Sequence, residues 1–499
     1  MSFNAPRPRT GRIRLGAIAA ALLLAGCAST HGLEPHAQVL DGDNLSAGRS
    51  LNGQELSAAD FPRQDWWKAL GDPQLDALID EALQGHPSLD AADARLRKAQ
   101  AQAGLADAAR KPTVSASAQY SGVQLPKTLL PPPEGGSYLG TDVLMLNFKY
   151  NLDLWGGERA KWEAAVGQAR AAQVDAQAAR LVLSSNLARA YVNLSQAYAS
   201  LEVANNERER ATRLRGLGQQ RVKAGLDNQL QLRQAESTIA SAEQQAQAAQ
   251  QEIDMARTAI AALMGKGPDR GLDIARPQVL QAVTPSVPDV LPSELLGHRP
   301  DVVAARWRVE AASRGIDAGK ASFKPSINLS AIVGLASSGL SDLFSSDALL
   351  GLGGPAISLP IFDGGRLRNQ LDASDADYDL AVANYNQTLV NALHEVTDAL
   401  QTARSLDQQI DSSKRARAAA QSAWDLAQAR YRAGLGTQLD VLSAQRPLLQ
   451  FDQQVAALQA QRLAASVDLD RALGGGLVLE SAPVPAPSTT PIADTVASP

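Results

Sequence analysis

Few side chains in this 499-residue chain are disposed to do covalent or acid–base chemistry. The five histidines, His31, His36, His86, His298 and His394, are scattered, with no metal-ligand spacing and no cysteine nearby. His86 and His298 precede or nearly precede helix starts, where ordinary turn roles are expected. The run Gly351-Leu352-Gly353-Gly354 lacks the Lys-Ser/Thr of a phosphate-binding loop. Asp375 and Asp377 fall on what reads as exposed helix, most simply as solvated charge. We therefore expect no catalytic residue, no cofactor and no metal site, and an enzyme is the least favoured class. The one cysteine, Cys27, remains, and alone it forms no internal disulfide.

Cys27 closes a targeting segment. Arg7, Arg9, Arg12 and Arg14 form a basic region, and Leu15 to Leu24 an apolar core. About ten apolar residues cannot cross a hydrocarbon layer of about 30 Å. Leu24-Ala25-Gly26-Cys27 resembles the lipobox of bacterial lipoprotein precursors, in which the cysteine is lipidated and becomes the first mature residue. On that resemblance residues 1–26 are the signal peptide and Cys27 carries the lipid. Ala28, where an Asp would signal retention, favours export to the outer membrane.

The net charge is −5, and losing the four signal arginines makes it more negative, so no basic face for nucleic acid is expected. No later window offers about 18 consecutive apolar residues, so any membrane-spanning part has to be a closed β-barrel. Aromatics are only 4% of the chain while Ala and Gln abound, which suits helical packing better than a large globular core.

The elements follow from periodicity. Arg366 to Ala433 contains no Gly or Pro and reads as one helix, about 100 Å long at 1.5 Å per residue. Tyr378, Val382, Tyr385, Leu389, Ala392, Val396, Ala399, Ala403, Leu406 and Ile410 recur at spacings of four and three, a coiled-coil seam. The seam lapses at Ser413 and Arg417 and resumes at Ala420, Trp424, Ala427 and Tyr431. This helix has a twin. Pro87, Lys111 and Pro112 meet Pro300, Lys324 and Pro325 at an offset of 213, and Ala224-Gly225-Leu226 meets Ala433-Gly434-Leu435 at 209. Landmarks agreeing in order over so long a stretch indicate two tandem copies. Each copy predicts a helix of about 25 residues, two extended segments, a helix of nearly 70, a Gly turn and a helix of nearly 40. The two shorter helices, stacked end to end, would match the long one.

The extended segments alternate. Leu144, Leu146, Phe148, Tyr150 and Leu152 interleave with Met145, Asn147, Lys149 and Asn151, and Val114, Ala116 and Ala118 with Ser115 and Ser117. In the second copy Ile327, Leu329, Ala331 and Val333 alternate with Ser326, Asn328 and Ser330, and Ile357, Leu359 and Ile361 with Ser358 and Pro360. One apolar and one polar face fit a membrane barrel around a watery lumen. Four strands cannot close one, and open edges in lipid are forbidden, so three chains would have to supply twelve.

Several motifs, in order, resemble the TolC-like outer-membrane factors, in particular their NodT-like lipoprotein branch. They are Trp66-Trp67 with Asp72-Pro73, Arg299-Pro300-Asp301-Val302, Phe323-Lys324-Pro325-Ser326-Ile327, Leu359-Pro360-Ile361-Phe362-Asp363-Gly364-Gly365, Arg430-Tyr431 with Gly434-Leu435, and Ala472-Leu473-Gly474-Gly475-Gly476. The resemblance implies a mainly α homotrimer with a twelve-stranded barrel in the outer membrane, continuous with a periplasmic α-helical barrel. Its implied role is the exit duct of a tripartite efflux pump for small molecules such as drugs. The implied partners are a periplasmic adaptor (membrane fusion protein) and an inner-membrane transporter of the resistance-nodulation-division class. Gly156, Gly157, Gly364 and Gly365 would then mark the strand-to-helix junctions, and Gly225, Leu226, Gly434, Leu435, Leu439 and Asp440 the periplasmic tip and aperture. In relatives an acid follows the aperture Leu by four residues; here that place holds Ser443, and Asp440 is the nearest carboxylate. Pro447 should kink the last helix.

The expected divisions are 1–26 signal, 27–64 lipidated tether, 65–270 first repeat, 271–298 connector, 299–477 second repeat and 478–499 tail. A duct for type I secretion or metal efflux is the alternative within this architecture. A periplasmic coiled-coil lipoprotein without a pore is the rival outside it.

Overall fold

The computed structural model describes residues 30, 32–40, 61–278, 280–282 and 295–477. Cys27, the signal segment, most of the tether, part of the connector and the tail lie outside the described residues. The elements run α1 (Pro73–Gly85), α2 (Pro87–Ala109), β1 (Thr113–Gln124), β2 (Tyr138–Leu152), α3 (Gly157–Lys223) and α4 (Gln229–Leu263). The second copy supplies α5 (Pro300–Ala321), β3 (Ser326–Ser337), β4 (Leu349–Ser358), α6 (Arg366–Arg432) and α7 (Gln438–Ala472). The two long helices have 67 residues each and the two that follow them 35 each, so the duplication extends to element lengths. Among the described residues no helix is long and apolar enough to cross a membrane.

The chain divides into two compact units. The first holds the sheet, α2, α5 and the sheet-proximal parts of α3 and α6. Its four strands are all antiparallel in the order β1-β2-β3-β4, so β1 and β4 are free edges. Register collects the side chains as the alternation predicts. Leu144 lies between Ala118 and Leu335, Leu146 between Ala116 and Val333, and Phe148 between Val114 and Ala331, all on one face. The opposite face carries Ser115 beside Asn147, Lys149 beside Ser330, and Asn151 beside Asn328. A one-residue slip of any strand would mix the two sets.

One strand corrects the sequence reading. The fourth strand is not centred on Ile357 to Ile361; it runs from Leu349 through Gly351, Gly353, Gly354 and Pro355, and Leu359 to Ile361 lie beyond it. Gly and Pro hid it, because both are poor strand residues by propensity. The edge position tolerates Pro355, and a Cβ on Gly353 would sit 3.1 Å from the Ala331 Cβ across the pair.

Helices in the first unit meet through small residues and ion pairs. Gly167 of α3 sits against Ala311 of α5, Gly319 of α5 against Leu371 of α6, and Arg314 bonds Glu163 at 3.3 Å. Seam residues Val382, Tyr385, Leu389, Ala392 and Val396 are buried. Asp375, expected to be solvated, is also buried, and both its oxygens lack a hydrogen bond. Burial raises its pKa, against the pull of Lys320 and with the push of Asp372, Asp379 and Glu34. The segment 33–40 lies extended on α6. Asp379 accepts the His36 amide at 2.9 Å and the Ala37 amide at 2.7 Å. Asn386 accepts the Leu40 amide at 2.8 Å and donates to the Gln38 carbonyl at 2.9 Å.

The second unit holds most of α1, the remainder of α3 and α6, and both 35-residue helices. Asp72 ties three segments together. It caps α1 at the Gln74 amide (2.9 Å), accepts the hydroxyl of fully buried Tyr191 (2.7 Å) and accepts the Gln278 amide (2.8 Å). The lapse in the seam is a polar layer rather than a gap. Ser413 is buried, and Arg417 reaches Asp452 of α7 at 2.6 Å. Asp452 also takes Arg210 of α3 at 3.0 Å, and Arg210 holds Glu207 at 3.1 Å. Below it the apolar seam resumes as Leu214, Trp424, Tyr431, Val441 and Leu448.

Candidate functional site: the helix turns at the tip

The two helical hairpins turn on nearly identical sequences, Ala224-Gly225-Leu226-Asp227-Asn228-Gln229-Leu230 and Ala433-Gly434-Leu435-Gly436-Thr437-Gln438-Leu439. Each long helix ends in the same way. Gly225 has φ +73° and Gly434 φ +75°, a left-handed backbone that any Cβ would strain. The Leu226 amide bonds the Arg221 carbonyl and the Gly225 amide that of Val222; Leu435 and Gly434 repeat this with Arg430 and Tyr431. These are Schellman closures, which satisfy the last carbonyls of a helix. Each following helix opens on a capping box. Asn228 accepts the Leu230 amide while Gln231 returns to the Asn228 amide, and Thr437 and Asp440 exchange the equivalent bonds. The Asp440 carboxylate is thus turned back on its own helix start at 2.8 Å, and the Thr437 amide and hydroxyl hold its pKa low. Leu226, Leu230, Leu435 and Leu439 are between 61% and 71% exposed, an apolar cluster presented by the turns.

The copies differ where it matters. Asp227 of the first turn corresponds to Gly436 of the second, and Tyr431 before the second turn corresponds to Val222 before the first. These two unmatched residues meet. The Tyr431 hydroxyl donates to Asp227 Oδ2 at 2.6 Å, and Arg221 Nε donates to the same oxygen at 2.8 Å. Arg221 also donates to the Tyr431 carbonyl at 3.0 Å, and its guanidinium lies 4.6 Å over the Tyr431 ring. Gln438 Nε2 adds a bond to the Gln231 carbonyl at 3.0 Å. Burial works to raise the pKa of Asp227, but the Tyr431 hydroxyl and Arg221 outweigh it and the net shift is downward. Burial and then the Asp227 carboxylate push the Tyr431 phenol up. At neutral pH the tie is therefore a neutral phenol and a guanidinium sharing one carboxylate. The heptad placed Tyr431 in the apolar seam; that the two turns differ by a single acid was the available signal for its polar partner.

At the other end of the long helices, Gly156 (φ +74°), Gly364 (φ +66°) and Gly365 (φ +87°) turn the chain, while Gly157 lies close to Ala321, where a Cβ would come within 2.9 Å. Asp153 caps α3 through the Glu158 and Arg159 amides, and Asp363 caps α6 through the Gly365 and Leu367 amides.

The family description "Outer membrane efflux protein" matches residues 78–266 and again 291–475, once per copy. The chain is 40% identical, over 73% of its length and 70% of the relative's, to the fusaric acid resistance protein FusA of Burkholderia cepacia. It is 32% identical to the pyoverdine export outer membrane protein OpmQ of Pseudomonas aeruginosa, over 93% of this chain and 96% of that one. The solved outer membrane protein VceC of Vibrio cholerae superposes with a TM-score of 0.78 at 37% identity, covering 83% of this chain and all of that one. Its solved neighbours are TolC-like trimeric channels, and the fold expected from the motifs, two tandem repeats of long helices with a shared antiparallel sheet, is the one observed. The chain belongs to the outer membrane efflux protein family and is an outer-membrane efflux channel of the TolC-like kind.

Proposed function

We propose that three copies close a twelve-stranded barrel in the outer membrane, each anchored by a lipid on Cys27, and form the exit duct of a tripartite pump for small organic molecules. The duct is opened at the turns carrying Gly225 and Gly434 by a periplasmic adaptor and an inner-membrane transporter of the resistance-nodulation-division class. Leu226, Leu435 and Leu439 supply the apolar surface there, while Asp440 serves the helix cap and the Tyr431–Asp227 bond holds the hairpins together. The observation that carries this reading is the sheet: four strands in one register, apolar on one face and, from Ser115 and Ser117 across Asn147, Lys149 and Asn151 to Asn328 and Ser330, polar on the other, ending in two unpaired edges. Such edges are excluded from lipid unless neighbouring chains pair them. Similarity to a fusaric acid resistance protein favours small organic cargo over secreted proteins or metal ions. The selection lies with the transporter, since a watery duct selects little.

The test is reconstitution of the purified full-length protein into planar bilayers. A trimer with stepwise conductance is expected; a water-soluble monomer that never conducts would end the channel reading in favour of a coiled-coil lipoprotein. Cys27→Ala should leave conductance intact and abolish acyl incorporation.

A further inference from the structure

A cavity of about 450 Å³ opens at the base of the sheet, between the start of α3 and the end of α5. Its walls carry four cations, Arg159, Arg314, Lys320 and Lys324, against two acids, Glu163 and Asp317. Glu163 is taken by both arginines, at 2.8 and 3.3 Å, and Asp317 by Arg314 at 3.4 Å. Neither Lys320 nor Lys324 has an ion-pair partner among the described residues, although Lys320 acts at longer range on the buried Asp375 carboxylate, so cations outnumber acids in the cavity lining. Half-exposed Trp155 forms the rim. Its indole N–H donates to the Pro325 carbonyl at 2.7 Å, and the Lys324 ammonium sits 4.9 Å over its ring. Trp155 stands three residues past β2 and Lys324 two before β3, so the cluster lies where the apolar face of the sheet ends. An indole beside lysines at that level is the usual furniture of a membrane–water interface.

The tether gives a second measure of the same level. Segment 33–40 runs parallel to α6, lower numbers against lower numbers, from Asn386 to Asp379 and onward toward the start of α6. The 13 residues from Asp379 back to Arg366 span about 20 Å of helix. The nine residues from His36 back to Cys27 reach up to about 30 Å. That contour length exceeds the distance from Asp379 to the start of α6. Lys320 on the cavity wall and Glu34 of that segment both act on the buried Asp375 carboxylate.

We propose that Lys320, Lys324 and Trp155, with Arg159 behind them, seat the phosphate headgroup of an anionic phospholipid of the periplasmic leaflet. The proposal rests on the membrane-barrel reading, which sets the leaflet at this height. Headgroup phosphate meets the Lys320 and Lys324 ammonium groups, the glycerol backbone lies along the indole, and the acyl chains continue onto the apolar face of β2 and β3.

The test is native mass spectrometry of the full-length trimer offered phosphatidylglycerol or phosphatidylcholine in mild detergent. The wild-type trimer should retain phosphatidylglycerol in preference, and a Lys320→Ser/Lys324→Ser variant should lose that preference by about tenfold or more. An unchanged preference in the variant overturns the proposal. So does displacement of the lipid by millimolar inorganic phosphate, which would make this a site for free anions. The trimer mass in the same spectrum reports assembly; if the double variant does not assemble, Lys320→Gln, which leaves the Trp155 stack in place, carries the comparison. Bilayer conductance of the same wild-type preparation reports the channel reading separately, so the two can fail independently.

Discussion

Removing one oxygen, in Tyr431→Phe, tests the tie between the hairpins most cleanly. The hydroxyl is buried, donates at 2.6 Å to a carboxylate, and otherwise has only the Arg221 guanidinium as a polar neighbour among the described residues. A hydrogen bond to a charged group contributes about 1.5–3 kcal/mol. Asp227 keeps Arg221 at 2.8 Å, so no buried charge is stranded and the lower half of that range applies. At 1.4 kcal/mol per decade, the balance between parted and joined hairpins should shift by roughly ten- to fortyfold per subunit. Single-channel recording in planar bilayers reads this as time spent conducting. Acid gives an independent arm. Because the pKa of Asp227 is depressed by the tie, the stabilisation is fully present above its ordinary value of 3.8 and is lost as pH falls below it. Conducting time should therefore rise in strong acid for the wild type and much less for Asp227→Asn. If Tyr431→Phe assembles normally and conducts within twofold of wild type, this bond does not hold the tip.

Two further outcomes follow from one buried and one half-buried acid in the same unit. Asp452→Ala removes the one carboxylate shared by Arg210 and Arg417, leaves Arg210 to Glu207 alone, and should cost about 3 kcal/mol, read as a lower thermal midpoint by circular dichroism. Burial pushes Asp470 up to about 7, so its ionisation opposes the folded state as pH rises from 3.8 toward 7; Asp470→Asn should be more heat-stable than wild type at pH 8 and indistinguishable at pH 4.

Sequence reasoning reached furthest where one physical rule dominates. Alternation located β1, β2 and β3 because a lipid face and a watery face impose period two, and Pro and Gly landmarks located the hairpin turns because few other residues satisfy those backbones. It failed where two rules compete. Between Leu349 and Ile357 the apolar face of β4 is Gly351, Gly353 and Pro355, so neither propensity nor hydrophobicity marks its centre. Ser413 and Arg417 looked like a break in the seam because a heptad template has no entry for a layer of shared charges; only Asp452, 35 residues beyond Arg417, completes it. Asp375 read as solvated because helix periodicity does not say which charged residue faces a neighbouring helix. The tip was half legible: both turns and their glycines were, while the Tyr431–Asp227 contact spans 204 positions and depends on how the two hairpins meet.

The two outermost strands share a property whose consequence lies at the joint between subunits. On the face turned to lipid, β1 carries Val114, Ala116 and Ala118 before Tyr120, and β4 carries Gly351, Gly353 and Pro355 between Leu349 and Ile357, so the middle of each border bears no large side chain. Where three chains meet, each junction is a shallow furrow in an otherwise bulky girdle, and acyl tails approach the main chain most closely there. In the proposed trimer the middle of each junction then depends on amide-to-carbonyl alignment rather than interlocking shapes, and an added ring or branched side chain there should hinder assembly most.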